Sequence, residues 1–478
     1  MPTITIDNIL TILISICYIA LVTFLPSVQF MPDKIIWFQD KQRLLELLLL
    51  CLILIEASTH ILYQKKSAVS HKRSMIAFFI LMALSVTSTL LAISPRHALI
   101  ELSVFSALCF LSLFIARLYI QYRSEFIKYL CYALWASVLL YLTSFYVGYI
   151  TATIFKTPLK WPFPFTGFTN IRSFNQYQLW PLAFITLPLL AFDLKKNIKC
   201  WLYFALSCWW VLLFYSASRG VLIAWLIGMT ITALIYQRLA WPLLRAQLFN
   251  ISTGFIGYLL LFKWIPSLRE STLITSTVIR ETTQDRITLW IECVNHIKNH
   301  PWLGLGPMNL PWYQSTMRHP HNSILQLASE WGLPATTIIL AIVGYGMFHW
   351  LKKFSALHLK NQSSLDTNLT IILLFTVITN AAYSLVDGVI VMPISQILMF
   401  TMIGLMIGHY SYHQTSHTNP NTNSSPIKFR PTFAIVILVA LIWSTLPEVK
   451  QGLSGYEKGF SVEADYTNPR IWSHFNSN

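Results

Sequence analysis

The chain has 478 residues, of which 55% are hydrophobic, 14% aromatic and only 11% charged, with a mean hydropathy of +0.55. Soluble proteins carry about 25% charged residues, so a water-soluble enzyme is excluded and an all-α polytopic membrane protein is expected. The net charge of +15 does not point to nucleic acid: no Lys/Arg-rich arm with interleaved aromatics occurs, and membrane proteins collect basic residues in cytoplasmic loops and beside anionic headgroups.

The N-terminal MPTITIDN has no basic region of the kind that precedes a cleavable signal, so the first apolar run reads as a retained anchor. A span needs roughly 20 apolar residues, and about thirteen segments are candidates. They centre on Asn8–Phe24, Leu44–Leu62, Met75–Ile93, Leu102–Ile120, Tyr129–Tyr149, Leu179–Phe192 and Trp201–Tyr215. Val221–Tyr236, Leu248–Phe262, Ile324–Trp350, Leu369–Leu385, Ile394–Tyr410 and Thr432–Leu446 follow. The segments at Leu179 and Trp201 are short enough to be tilted, broken or extended.

Alternate connecting loops, among them QKKSAVSHKRS, QYRSEFIK, LKKNIK and WLKKFSALHLKNQSS, carry lysine or arginine, as cytoplasmic loops do. The short loops of the other set, ISPRHALIE and VDGVIVMP, carry one basic residue and none. This places the N-terminus inside and the C-terminus outside. Residues 1–446 then form one membrane unit with external loops at 151–178 and 263–322, and 447–478 form a short external tail. Within the long loop, LITSTVIRETTQDRITLWIECVNHIKNH reads as an amphipathic helix of a folded cap, with Ile287, Trp290, Ile291, Val294 and Ile297 on its apolar face. Six of the seven cysteines fall in spans and only Cys293 lies in a loop, so no disulfide framework is expected. No CxxC or Cys/His cluster with zinc spacing occurs, and neither a metal nor a cofactor is expected.

Arg172, Arg219, Arg269, Arg280, Arg286 and Arg318 all belong to the outward segments. The guanidinium fork suits bidentate binding of phosphate oxygens, although a single outward arginine is equally served by lipid headgroups. In RHPHNSILQLASEWGLP (318–334), His321 sits at the outer end of a span, and histidine is suited to proton transfer near neutral pH. At about 100° per residue, Gly332 falls about 20° from His321, and Glu330 about 180° away and roughly 13 Å deeper. Glu330 is therefore a poor partner for His321 and reads as a structural hydrogen-bonding group. HPWLGLGPMNL (300–310) reads as a tight turn in preference to a phosphate cradle. RSFNQYQLW contributes Asn175, Gln176 and Gln178, YSASRG contributes Ser218, and YSLVDGVIVMP contributes Tyr383, Ser384 and Asp387. Each fits helix capping, but all share one compartment with His321.

HNSILQLASEWGLP, SASRG (216–220) and DRITLWIECVNHIKNHPWLGLGPMNL (285–310) together resemble the signature of the superfamily of O-antigen ligases, O-antigen polymerases and bacterial protein O-oligosaccharyltransferases, over residues of about 170 to 390. RSFNQYQLWPL is similar to the Asn-Gln element of the protein O-oligosaccharyltransferases, the pilin-type branch. The resemblance implies a membrane fold of the C type of glycosyltransferases and a metal-independent, inverting transfer at the periplasmic face of the bacterial inner membrane. The donor would be a polyprenyl-diphosphate-linked glycan, and the acceptor a Ser/Thr hydroxyl of a pilin-like protein. Arg219 and Arg286, assisted by Arg172 or Arg280, would hold the diphosphate. Asn175, Gln176, Gln178, Asn322 and Tyr383 would orient substrate, and the base would be His321 or Asp387, between which the sequence does not choose. Asp387-Gly388 departs from the acidic-aromatic-proline element of many such transferases, and the C-terminal tail is shorter than theirs. The alternatives are transfer to the lipid A core, O-antigen polymerisation and, in another class, a lipid-linked glycan flippase. A flippase would distribute its polar groups through the membrane depth instead of gathering them at one face.

Overall fold

A computed structural model describes residues 6–30, 38–59, 71–157, 159, 165–168, 171–268, 283–313, 319–415 and 431–455. Among them no strand occurs, and the helices are α1 (Ile6–Phe24), α2 (Phe38–Thr59), α3 (His71–Leu90), α4 (Pro95–Ile154), α5 (Ile171–Phe184), α6 (Leu187–Ala191), α7 (Lys196–Tyr215) and α8 (Arg219–Tyr236). They continue as α9 (Trp241–Leu259), α10 (Ile265–Leu268), α11 (Thr283–Asn299), α12 (Ser323–Lys353), α13 (Ala356–Leu359), α14 (Ser364–Ser384), α15 (Pro393–Thr415) and α16 (Pro431–Gly455). In the described residues, eight helical stretches are long and apolar enough to cross a membrane. Two of them, of 60 and 49 residues, exceed the roughly 20 residues of one crossing more than twofold. The protein is an all-α polytopic membrane protein.

The longer stretch, α4, covers two of the expected spans and the loop between them. It breaks at one residue, Arg123 (φ 39°, ψ −110°). Nothing in QYRSEFIK interrupts helical propensity, so the chain reverses at a single strained residue while both flanks remain helical. The short segment at Leu179 is broken, as its prolines require. Pro188 has no N–H for the carbonyl of Phe184, and the chain re-forms a helix only at α6. The Ile185 carbonyl accepts from Trp135 Nε1 (3.0 Å) and the Leu182 carbonyl from Gln247 Nε2 (3.3 Å), which meets the need for internal partners in lipid.

α15 packs along α4, and α14 against α8 and α5. Gly404 and Gly408 permit the first contact: a Cβ there would lie 2.5 Å from the Ser112 carbonyl oxygen and 2.9 Å from that of Ala116. This is the small-xxx-small approach of membrane helices. α16 runs to Gly455, beyond the expected boundary at 446, and its buried Glu448 pairs with His97 (2.7 Å) and Arg96 (3.1 Å) of α4.

α12 breaks at Gly332 (φ 81°, ψ 164°), two residues before Pro334. The break frees the carbonyls of Ser329 and Glu330, which accept from the amides of Leu305 and Gly306 (2.9 Å each), while Leu333 N–H donates to the Pro301 carbonyl (2.8 Å). The Gly-Leu-Gly turn is thus a backbone clasp on the broken helix. A Cβ on Gly304 would lie 2.5 Å from the Glu330 backbone. All seven cysteines are free.

Candidate active site

Asp387 lies in the turn between α14 and α15 and is 3% exposed. Its Oδ1 accepts from Gln176 Nε2 (2.9 Å), His321 Nδ1 (3.3 Å) and the Gly388 amide (2.7 Å), and its Oδ2 accepts from Tyr383 Oη (2.6 Å). Burial pushes the carboxyl upward, but the bonds from His321, Tyr383 and Gly388 outweigh it and hold Asp387 below the ordinary carboxylate range. Opposite an ionised carboxylate, His321 Nδ1 must carry the proton, which leaves Nε2 as an acceptor. The turn is fixed from behind by the buried Arg43 of α2, which donates to the Val391 carbonyl (2.7 Å) and Gln396 Oε1 (2.6 Å) and pairs with Glu46.

His321 precedes α12, with φ 51°, and is not on the helix. With Gly332 also non-helical, the angles expected from one uninterrupted helix do not apply. Asn322 caps α12 through Oδ1, which accepts from the amides of Ile324 and Leu325 (3.0 Å each), and its Nδ2 donates to the Leu385 carbonyl (3.0 Å). Its amide group ties the His321 turn to the Asp387 turn. Trp290 of α11 donates to the Pro320 carbonyl (2.9 Å), and the His321 amide donates to His319 Nδ1 (3.4 Å). The His319 ring lies 4.1 Å from that of His321 and packs on Gly388. Sequence reasoning gave no part to His319, although the His-Pro-His spacing brings both rings to one turn.

Arg286 lies one turn before Trp290 on α11 and is half-buried. Burial lowers its pKa and the neighbouring Arg172 lowers it further, against Asp387 and Tyr383, so these four groups share one electrostatic neighbourhood. Arg172, Asn175 and Gln176 occupy one face of α5. Asn175 Oδ1 accepts from Ser216 Oγ (2.9 Å), while Asn175 Nδ2 and Gln176 Oε1 are buried without a hydrogen-bond partner. Gln178 points elsewhere, with Nε2 on the Trp209 carbonyl (2.8 Å), and does not join the cluster. Ser218 lies beside the Tyr383 hydroxyl. Gly220 abuts it as well, since a Cβ there would lie 3.3 Å from its ring. Arg219, between them, is exposed and forms no ion pair with a described residue. Arg280, Arg269 and Arg318 lie outside the described residues.

The expected apolar face of α11 is corrected. Leu289 and Cys293 face the protein, whereas Ile287, Ile291 and Val294 are exposed. Burial, with Glu330 nearby, pushes the Cys293 thiol up to about 12, which sets Glu330 beside α11 and apart from His321.

No curated protein matches the chain. The family model described as O-Antigen ligase matches residues 202–340. That span holds α7 to α11, the Ser-Arg-Gly element, Arg286, His321 and the first part of α12, and it stops short of Asp387. With the helical membrane architecture, this match supports membership of the O-antigen ligase superfamily.

Proposed function

We propose that the chain transfers an oligosaccharide from a polyprenyl-diphosphate carrier to a serine or threonine hydroxyl of an exported, pilin-like protein. The reaction takes place on the periplasmic side of the bacterial inner membrane, with the N-terminus cytoplasmic. Glycan transfer is the activity of the family; the observation that supports the finer reading is the buried Asp387, which engages His321 beside Arg172 and Arg286. A serine hydroxyl is a poor nucleophile without a base. His321, with Nδ1–H turned to Asp387, takes the hydroxyl proton at Nε2. Asp387 acts as the positioning partner, since a carboxylate held below its ordinary range is a weak base.

The hydroxyl oxygen attacks the anomeric carbon as its O–H bond breaks. The bond from that carbon to the diphosphate oxygen breaks on the opposite side, so the configuration inverts and the electron pair leaves on the diphosphate. Arg172 and Arg286, two like charges held near each other, stabilise that developing charge, assisted by the exposed Arg219 and by Arg280, which lies outside the described residues. This charge stabilisation does not call for a metal. Asn175 and Gln176 have buried polar atoms free to orient sugar or acceptor, and Tyr383 holds the carboxylate.

The test is expression of wild type and His321→Ala with a lipid-linked glycan pathway and a candidate pilin. Intact mass of the pilin is read beside the lipopolysaccharide ladder. Glycan on the pilin with wild type alone supports the reading. Unmodified pilin with an altered ladder replaces it with transfer to the lipid A core or polymerisation.

A further inference from the structure

α14 carries Asp387 just past one end and Asp366 in its first turn, 21 residues of helix apart, or about 30 Å. Facing Asp366 are His409 and His413 of α15, four residues apart and so on one helix face. All three are buried, and their ligand atoms lie within 4.8 Å of one another. The third donor comes from another helix, which a scan of Cys and His spacing does not see.

Hydrogen bonding accounts for only part of this cluster. Asp366 Oδ2 accepts from Arg123 (2.8 Å) and Ser363 Oγ (2.7 Å). Oδ1 faces His413 Nε2 at 3.7 Å, too far for a hydrogen bond, and that nitrogen has no other partner. A buried unsatisfied nitrogen destabilises the fold. Two donors each about 2.0–2.2 Å from a tetrahedral zinc ion stand about 3.3–3.6 Å apart, close to the separation seen here.

His409 supplies the third donor once its Nε2 exchanges Thr370 for the ion. Thr370 Oγ1 gives its proton to the Asp366 backbone carbonyl (2.7 Å) and so accepts from His409 Nε2 (2.9 Å), while Tyr119 Oη donates to Nδ1 (2.7 Å). With the proton on Nδ1, donated to Tyr119, and the ring turned away from Thr370, Nε2 presents its lone pair to the cluster. This is the outer-shell arrangement that orients metal-bound histidine. Arg123 opposes a cation, but its side chain is 38% exposed and its charge is screened by solvent.

We propose that Asp366, His409 and His413 bind a late first-row divalent cation, with zinc as the best fit to two imidazoles and one carboxylate. The ion joins α14 to α15 and, through Arg123, to the break in α4. At its distance from Asp387 the role is structural, and the proposal is independent of the transfer reading.

The test uses the full chain, free of affinity tag, in detergent and stripped with chelator. Zinc content is measured by elemental mass spectrometry after equilibration with zinc chloride, beside the thermal midpoint. Wild type should retain about one zinc per chain and gain thermal stability. Tyr119→Phe should bind about 10–100-fold more weakly, and His413→Gln more weakly still, with no thermal gain. If His413→Gln fails to fold, Tyr119→Phe decides. Equal zinc retention by wild type and the variants, or a midpoint indifferent to zinc, overturns the site.

Discussion

Replacing Gly388 by alanine would test whether the His319–His321 turn is held to tolerances that matter for transfer. Gly388 has no left-handed φ, so the backbone accepts alanine and the effect arises from contact alone. The added Cβ would lie 2.6 Å from His319 Cε1 and 3.2 Å from both ring nitrogens. Ordinary carbon contacts begin at about 3.5 Å, so the imidazole must withdraw by about 0.9 Å. Its Nδ1 accepts the His321 amide (3.4 Å), and His321 in turn rests on Asp387 (3.3 Å); the displacement therefore reaches the reacting histidine. A shift of about 1 Å costs about 100-fold in rate, against about 1–3 kcal/mol of stability for overpacking. Initial rates of glycan transfer in isolated membranes should fall by about that factor in Gly388→Ala, and less in His319→Ala. The double variant should be no worse than His319→Ala, because the clash is then gone. A Gly388→Ala rate within about twofold of wild type, or the same loss in both backgrounds, would refute the coupling.

Other expectations concern stability and the cap. Asp387 is depressed in the folded state, so its ionised form favours the fold. That contribution is complete above about pH 4, the ordinary aspartate value, and drains as pH falls further. Wild type should lose thermal midpoint below about pH 4 more steeply than Asp387→Asn, and parallel curves would remove the assignment. Trp290→Phe deletes the bond to the Pro320 carbonyl and should cost about 1 kcal/mol, with a fall in transfer rate larger than any fall in protein level. Gly332→Ala meets both a φ of 81° and a contact of 2.3 Å with the Trp302 carbonyl oxygen. Strain of about 1–3 kcal/mol together with a displaced clasp should lower the unfolding midpoint in detergent by several degrees, and an unchanged midpoint would show that the clasp does not hold α12.

The sequence was most legible where one physical signal dominates. Apolar length locates the helices, and outward polar residues at Arg172, Asn175, Gln176, Arg286, His321, Tyr383 and Asp387 converge on one turn. Gln178 shares the composition of that set but not its geometry: it falls about 110° round α5 from the Arg172–Gln176 face, a helical phase that polarity alone conceals, and it bonds the Trp209 carbonyl. Asn322 joins the set as the cap of a helix whose start the sequence placed one residue away. The helix angles relating His321, Glu330 and Gly332 do not apply because His321 precedes α12 and Gly332 breaks it. On α11 the exposed and buried faces are both apolar, so amphipathic spacing grouped the exposed Ile287, Ile291 and Val294 with the half-buried Trp290 and Ile297. The reversal at Arg123 left no trace in propensity, since its cause is tertiary: Arg123 lies 4.0 Å over the Tyr412 ring and pairs with Asp366.

The most direct measurement is transfer by the purified chain in lipid nanodiscs, with a defined lipid-linked glycan donor and an acceptor protein read by intact mass. Wild type would be compared with His321→Ala, Asp387→Asn and His358→Gln, the last an exposed histidine far from the turn. The account predicts that His321→Ala and Asp387→Asn each lose about 100-fold or more, the scale of a general base and its partner, while His358→Gln matches wild type. Transfer by His321→Ala within a few-fold of wild type, at equal protein and intact fold, would contradict it.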